Sequence, residues 1–233
     1  MHFFYSSVVQ HNEIVLGEAE SNHASKVLRL NQGSLVQVVD GSGTLYRGEI
    51  LVVHPRKCRI KILNAIHGYG KLPYNLHVAI APTKSMDRFE WFLEKATEIG
   101  IHEITPLLCD HSERKVVKPD RMEKILVAAM KQSGKAYLPK IHPLTPFDAF
   151  IRNAGADQPF IAHCYPDEKP HINTVLTPKG SCLILIGPEG DFSQEEVKTA
   201  KSQGFREISL GESRLRTETA GIVACIVVHL LHV

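Results

Sequence analysis

A chain of 233 residues with 43% apolar side chains can fill a packed core, as one α/β domain or as two smaller ones, which excludes a disordered polymer. The net charge of +2 is too small to announce a nucleic-acid partner, and the five cysteines (Cys58, Cys109, Cys164, Cys182, Cys225), odd in number and never spaced C-x-x-C, indicate neither a disulfide framework nor a zinc ribbon. No apolar run approaches the roughly 20 residues of a membrane span, and the opening MHFFYSSVVQ lacks the basic flank of a signal peptide, so a cytoplasmic protein without membrane contact is expected.

Early in the chain, SNHASKVLRLNQG reads as a short helix begun by Ser21 and stopped near Gly33. LVQVVD, TLYRGEILVV and CRIKIL follow as short β-rich runs separated by turn residues, the pattern of a small antiparallel barrel or sandwich. HGYGKLPYN has linker composition and marks a boundary near residue 70. Beyond it strands alternate with helices. NLHVAIAP is a strand, and Ser85 to Gly100 is a helix with Phe89, Phe92, Leu93, Ala96 and Ile99 on one stripe. After the strand HEITPLLC, Asp120 and Glu123 form a capping box for a helix that ends at Gly134. PFIAHC, CLILIG and EISL are further strands, and a helix from about Thr217 to Leu231 closes the pattern. Such alternation predicts a mostly parallel sheet covered by helices.

Two segments carry chemistry. In LILIGPEGDFSQEEV an apolar strand breaks into Gly187-Pro188-Glu189-Gly190, and Ser193 with Glu196 restarts the chain as a capped helix stapled by Phe192 and Val197. SLGESRLRTETAGIVACIVVHLL repeats the design, with a strand end, Gly211, a polar loop holding Arg214 and Arg216, and an apolar helix. Neither segment is a G-x-G-x-x-G or P-loop motif. Two glycine loops at strand ends can line one crevice, where free main-chain groups read a ligand such as adenine. A plain strand-to-helix turn accounts equally well for the first of them taken alone. No histidine pair has metal-ligand spacing in a supporting context, so no metal is expected. Cys164 lacks an identifiable base, which disfavours a cysteine nucleophile.

In the order HASKVLRL, KSMDRFEWFLEKATEIGI, LIGPEGDFSQEEV and LGESRLRTETA, the chain resembles the bacterial methyltransferases that act on N3 of a uridine in 16S ribosomal RNA, members of the SPOUT superfamily. The resemblance covers nearly the whole chain. It implies an α/β fold in which residues 74–233 form a SPOUT-type domain with a trefoil knot around a mostly parallel sheet, and residues 1–70 a PUA-like β-barrel that contacts RNA. General topology rules would make a knot improbable, so it rests on the resemblance. S-adenosylmethionine as cofactor, a homodimer as functional unit, and 16S ribosomal RNA or the assembled small subunit as partner are implied in the same way.

Carried over position by position, cofactor binding falls on His163 and Cys164, on Ile186, Gly187, Pro188, Glu189 and Gly190, and on Leu210, Gly211, Leu215 and Thr217. The chain departs from many relatives at Asp191, where they have glycine, and at Ser213 and Lys135, where they have arginine. Arg216 and Glu218 are the implied catalytic pair, Arg216 holding a phosphate or imide oxygen and Glu218 orienting it or taking the N3 proton. Read without the resemblance, Thr217 instead caps the last helix and Glu218 sits in its positive first turn. Lys26, Arg29, Arg56 and Lys57, with Arg114 and Arg214, are the candidate RNA contacts, although a solvated helix face also explains the basic excess between Cys109 and Lys140. A non-catalytic RNA-binding ribosome-assembly protein of the same fold is the alternative function.

Overall fold

The structure, a computed structural model, describes residues 2–178 and 180–232. They divide into two compact units, one made of residues 1–71 with 127–138 and the other of 72–126 with 139–233. No helix among the described residues is long and apolar enough to cross a membrane.

In the first unit β1 (Phe3–Tyr5), β2 (Val9–Gln10), β3 (Glu13–Val15), β4 (Leu35–Val39), β5 (Thr44–Val52) and β6 (Arg59–His67) form one sheet in the order β1-β4-β5-β6-β3-β2. Every pairing is antiparallel except β1 with β4. Alternate residues of the strands, Val36 and Val38 of β4 and Ile60 of β6 among them, point into a core with Phe4, Ile14, Leu16 and Ile50, as a half-buried sheet requires.

The predicted helix from Ser21 to Gly33 is corrected. A short helix α1 (Glu18–Asn22) runs directly into a π turn (His23–Val27), and Ser21 is buried inside it. The Ser21 hydroxyl donates to Leu16 O at 3.0 Å and accepts from Cys58 N at 2.9 Å, so it ties the helix to the residue just ahead of β6 instead of capping it.

The stretch 127–138, placed by its sequence position in the second domain, packs with the first unit. Met130 and Ala136 share a cluster with Val39 and Leu45, Gly43 N donates to Ala136 O at 2.9 Å, and Lys131 pairs with Glu20.

The second unit is built on a sheet in which every pairing is parallel, in the order β10-β8-β7-β12-β11-β13 with β9 against β8. Its strands are β7 (Asn75–Ile80), β8 (Glu103–Leu108), β9 (Lys140–Ile141), β10 (Thr145–Pro146), β11 (Gln158–Ala162), β12 (Ser181–Ile186) and β13 (Arg206–Ile208). Helices α2 (Met86–Ile99), α3 (Pro119–Gln132), α4 (Phe147–Asn153), α5 (Ile172–Val175), α6 (Gln194–Ser202) and α7 (Thr217–Leu230) connect or follow them. The last turns of α3, from Val127, belong to the first unit.

Cys182 to Ile186 of β12 are all buried, which explains the unbroken apolar run: a central parallel strand is covered on both faces. Asp120 lies inside α3, which starts at Pro119, so the capping box predicted there is replaced by proline at the first helical position. At Ser193 the box is present. Its Oγ accepts from Glu196 N at 3.2 Å and Glu196 Oε2 accepts from Ser193 N at 2.8 Å, while Phe192 and Val197 meet in the core beneath.

Candidate cofactor cavity and its loops

The loops at the carboxyl ends of β11, β12 and β13 enclose a cavity of about 540 Å³ in the second unit. An open parallel sheet leaves its ligand space there, because its loops emerge together beyond the strand ends. Of the residues carried over for cofactor binding, His163, Cys164, Ile186, Gly187, Pro188, Glu189, Leu210, Gly211, Leu215 and Thr217 line this space, and Arg214 joins them. Gly190 does not. It turns toward His111, whose Nδ1 lies 3.0 Å from Gly190 O and Asp191 O, and a Cβ at Gly190 would come within 3.0 Å of the His111 Cβ.

Each loop is held by named bonds. Tyr165 Oη donates to Phe192 O at 2.8 Å and Cys164 N donates to Asp191 Oδ2 at 2.7 Å, joining the loop after β11 to the loop after β12. Thr217 Oγ1 donates to Gly187 O at 3.0 Å, so this hydroxyl binds the start of α7 to the loop after β12 and does not cap its own helix. The N-cap of α7 is Arg216, with no side-chain cap bond. Glu189 reaches out of the cavity to accept from Lys84 N at 2.9 Å.

His163 has no exposed side-chain surface. Its Nε2 bonds Glu207 Oε1 at 3.0 Å and its Nδ1 accepts from Tyr165 N at 3.3 Å, which assigns the proton to Nε2. Burial lowers its pKa against the opposing pull of Glu207, keeping the ring neutral. It contributes to the cavity as a buried support. Burial and the Asp191 carboxylate push the Cys164 thiol up, against Arg214 and Lys169, so Cys164 rests protonated and is a poor nucleophile.

The two residues carried over as catalytic lie outside the cavity lining. Arg216 is exposed at the start of α7. Glu218 is only 7% exposed; its Oε1 stands 3.9 Å from Arg88 Nε and its Oε2 has no partner.

In the first unit Lys26 and Arg56 line one shallow groove, where Glu18 sits 3.6 Å from Arg56, while Lys57 and Arg59 line another. Arg29 lines neither, and Arg114 belongs to the second unit, donating to Lys84 O at 2.6 Å. Among the described residues no group of three His, Cys, Asp or Glu is arranged to hold a metal ion.

Tyr165, Lys169, Asp191 and Ser209 also line the cavity and were missed by sequence reasoning. The Gly-Asp pair at 190–191 is the one local signal among them, since Asp tolerates the left-handed backbone that such turns need.

Two chemical features fit S-adenosylmethionine, a cation with an adenine to recognise. Among the described residues Leu210 gives neither its N–H nor its C=O to another main-chain group, which leaves both for a ligand. Besides Glu189 and Asp191, whose carboxylates are taken up by Lys84 N and by Cys164 N and Phe192 N, the lining holds Asp167, Glu168 and Glu212 against Lys169 and Arg214, an acidic balance suited to a sulfonium. A Cβ at Gly211, which has φ 134°, would meet no protein atom within 4 Å, so the space in front of it is open.

Comparison with known proteins agrees with this geometry. A family described as an RNA methyltransferase domain matches residues 70–229, and one described as an RNA methyltransferase PUA domain matches residues 16–63. The chain is 31% identical over 232 residues to the ribosomal RNA small subunit methyltransferase E of Mesomycoplasma hyopneumoniae, covering 95% of this chain and 96% of that protein. To the protein of the same name from Bacillus subtilis it is 28% identical, covering 90% and 86%. Among solved structures it superposes with TM-score 0.91 and 38% identity on a "probable rRNA-methyltransferase" from Porphyromonas gingivalis, covering 100% of this chain and 98% of that one. A Legionella pneumophila protein solved with the bound cofactor SAM superposes with TM-score 0.89 at 26% identity, covering 99% and 97%.

Proposed function

We propose, since this chain belongs to the RNA methyltransferase domain family, that it methylates ribosomal RNA of the small subunit using S-adenosylmethionine, at N3 of a uridine, as a cytoplasmic homodimer. The observation that carries this reading is the cavity at the ends of β11, β12 and β13, lined by ten of the positions that the resemblance assigned to the cofactor. When bound, the cofactor supplies an electrophilic methyl group. The chain's residues hold it and orient the acceptor, and in-line displacement draws most of its acceleration from such positioning.

Gly187, Leu210 and Gly211 would read the adenine through the main chain, and the carboxylates of Asp167, Glu168 and Glu212 would favour the cationic centre. Uridine N3–H must lose its proton. Glu218 is suited to accept it or to orient Arg216, because a nearly buried carboxylate with one unpartnered oxygen takes up a hydrogen-bond donor readily. Arg216, exposed beside it in sequence, is free to hold a phosphate or an imide oxygen.

Lys26 and Arg56 of the first unit, with Arg29 and Lys57, are assigned to RNA phosphates. Trp91 on α2 and Ile226 and Leu230 on α7 are 43%, 39% and 66% exposed, and α2 packs on α7, so these two helices carry the exposed apolar side chains assigned to the contact with a second copy. The trefoil knot belongs to the same reading and rests on the family resemblance.

Nucleoside mass spectrometry of ribosomal RNA from cells with and without the gene tests the function. N3-methyluridine should vanish from small-subunit RNA in the deletion strain and return with the wild-type gene. An unchanged nucleoside profile would refute it in favour of a non-catalytic assembly protein.

A further inference from the structure

Asp191 is the one non-glycine residue of the second unit with positive φ among the described residues, at 63°. Asp tolerates that left-handed region better than most side chains, because its short carboxylate can bond nearby main-chain groups, and here those bonds fix the turn. The contacts are on the page. Asp191 Oδ2 accepts from Cys164 N at 2.7 Å, Oδ1 accepts from Phe192 N at 2.8 Å, Asp191 N donates to Pro188 O at 2.9 Å, and His111 Nδ1 lies 3.0 Å from Asp191 O.

The left-handed turn aims the carboxylate sideways, across the gap between the loop after β12 and the loop after β11. Both loops, and Asp191 itself, line the cavity. With backbone N–H groups donating to a carboxylate, these are charge-assisted bonds, stronger than the neutral bond from Tyr165 to Phe192 nearby.

We propose that Asp191 is a positioning residue for the cofactor: its carboxylate clasps the loop bearing His163 and Cys164 to the Gly187–Gly190 loop and so sets the width of the cavity. This role rests on the proposed function. The left-handed turn at position 191 and the cross-loop bond are two sides of one arrangement, since the turn is what directs the carboxylate to Cys164 N.

Two substitutions separate the clasp from the turn. Asp191→Gly keeps the left-handed backbone at no steric cost and removes the carboxylate. Asp191→Asn also tolerates the turn and keeps one acceptor oxygen. Thermal unfolding, amide exchange at Cys164 and calorimetric titration with S-adenosylmethionine are measured on the full chain.

Asp191→Gly should unfold somewhat below the wild-type temperature, because relief of the left-handed turn offsets only part of the two lost bonds; it should also exchange faster at Cys164 and bind the cofactor roughly tenfold more weakly. Asp191→Asn should fall between the two in exchange and in affinity. Wild-type affinity in Asp191→Gly would overturn the positioning role while leaving the proposed function standing, as would a lowered unfolding temperature with unchanged affinity. A wild-type chain that binds no cofactor would overturn both.

Discussion

The two ends of the parallel sheet in the second unit differ in what most of their polar side chains tie together, the buried His163–Glu207 pair aside. At the carboxyl ends of β11 to β13, Asp191, Tyr165 and Thr217 bond to the main chain of neighbouring loops. Toward the amino ends of β7 and β8, side chains bond to each other: His142, just after β9, meets Glu103 Oε2 through its Nε2 at 2.6 Å, His77 Nε2 meets Thr105 Oγ1 at 2.8 Å, and the two imidazoles stack with centroids 5.4 Å apart. The first arrangement holds a frame open and leaves main-chain groups at Leu210 for a ligand. The second is closed on itself. Change at the carboxyl ends should therefore alter cofactor affinity, whereas change at the amino ends should alter stability alone.

Acid is the strongest way to press on the amino-end cluster. Burial lowers the His77 pKa to about 4; Glu103 opposes this, and His142 and Lys140 add to it. Glu103 is also lowered, since burial, which raises it, is outweighed by the bond to His142 and the fields of His77, His142 and Lys140. A histidine depressed in the fold contributes stability above its unfolded pKa and loses it as pH falls toward the folded value. His77 should thus withdraw on the order of 3 kcal/mol between about pH 6.5 and 4. Urea unfolding across that range should show the loss, and His77→Gln should flatten it while cofactor affinity at neutral pH stays put. An unchanged slope in the variant would break the comparison at this end.

Gly187→Val acts on the other end. A Cβ there would stand 3.1 Å from Phe192 N and from its fully buried ring, so the added methyls displace a core residue and the loop together. Overpacking of this kind costs about 1–3 kcal/mol, and calorimetry should find no cofactor binding in the folded variant. Tyr165→Phe is milder. It removes the donor to Phe192 O, which should cost about 1 kcal/mol in urea unfolding and weaken the cofactor a few-fold. Lys26→Ala with Arg56→Ala touches neither sheet end; RNA affinity should fall and its salt dependence flatten by about two phosphate contacts, with cofactor affinity unchanged.

How far the sequence revealed this division depends on the range of each interaction. The strand-loop-helix unit around Gly187 was legible because Ser193, Glu196, Phe192 and Val197 act within a few residues. The capping box read at Asp120 had the right letters, but Pro119 supplied a competing start. The switch of 127–138 to the first unit left no trace in the pattern, since α3 keeps one amphipathic period while Leu126 and Met130 lie in different units. At the site, the glycine loops were visible and their ties were not. His163 to Glu207, Thr217 to Gly187 and Cys164 to Asp191 join positions 27 or more residues apart, and nothing in a single sequence records such pairs.

Amide hydrogen exchange on the full chain, with and without saturating S-adenosylmethionine, tests most directly which end of the sheet takes the cofactor. Slowed exchange at residues 163–169, 186–191 and 209–217, with no change at His77, Glu103 and His142, is the predicted result. Protection at the amino-end cluster, or none at the three loops while the cofactor binds, would contradict it.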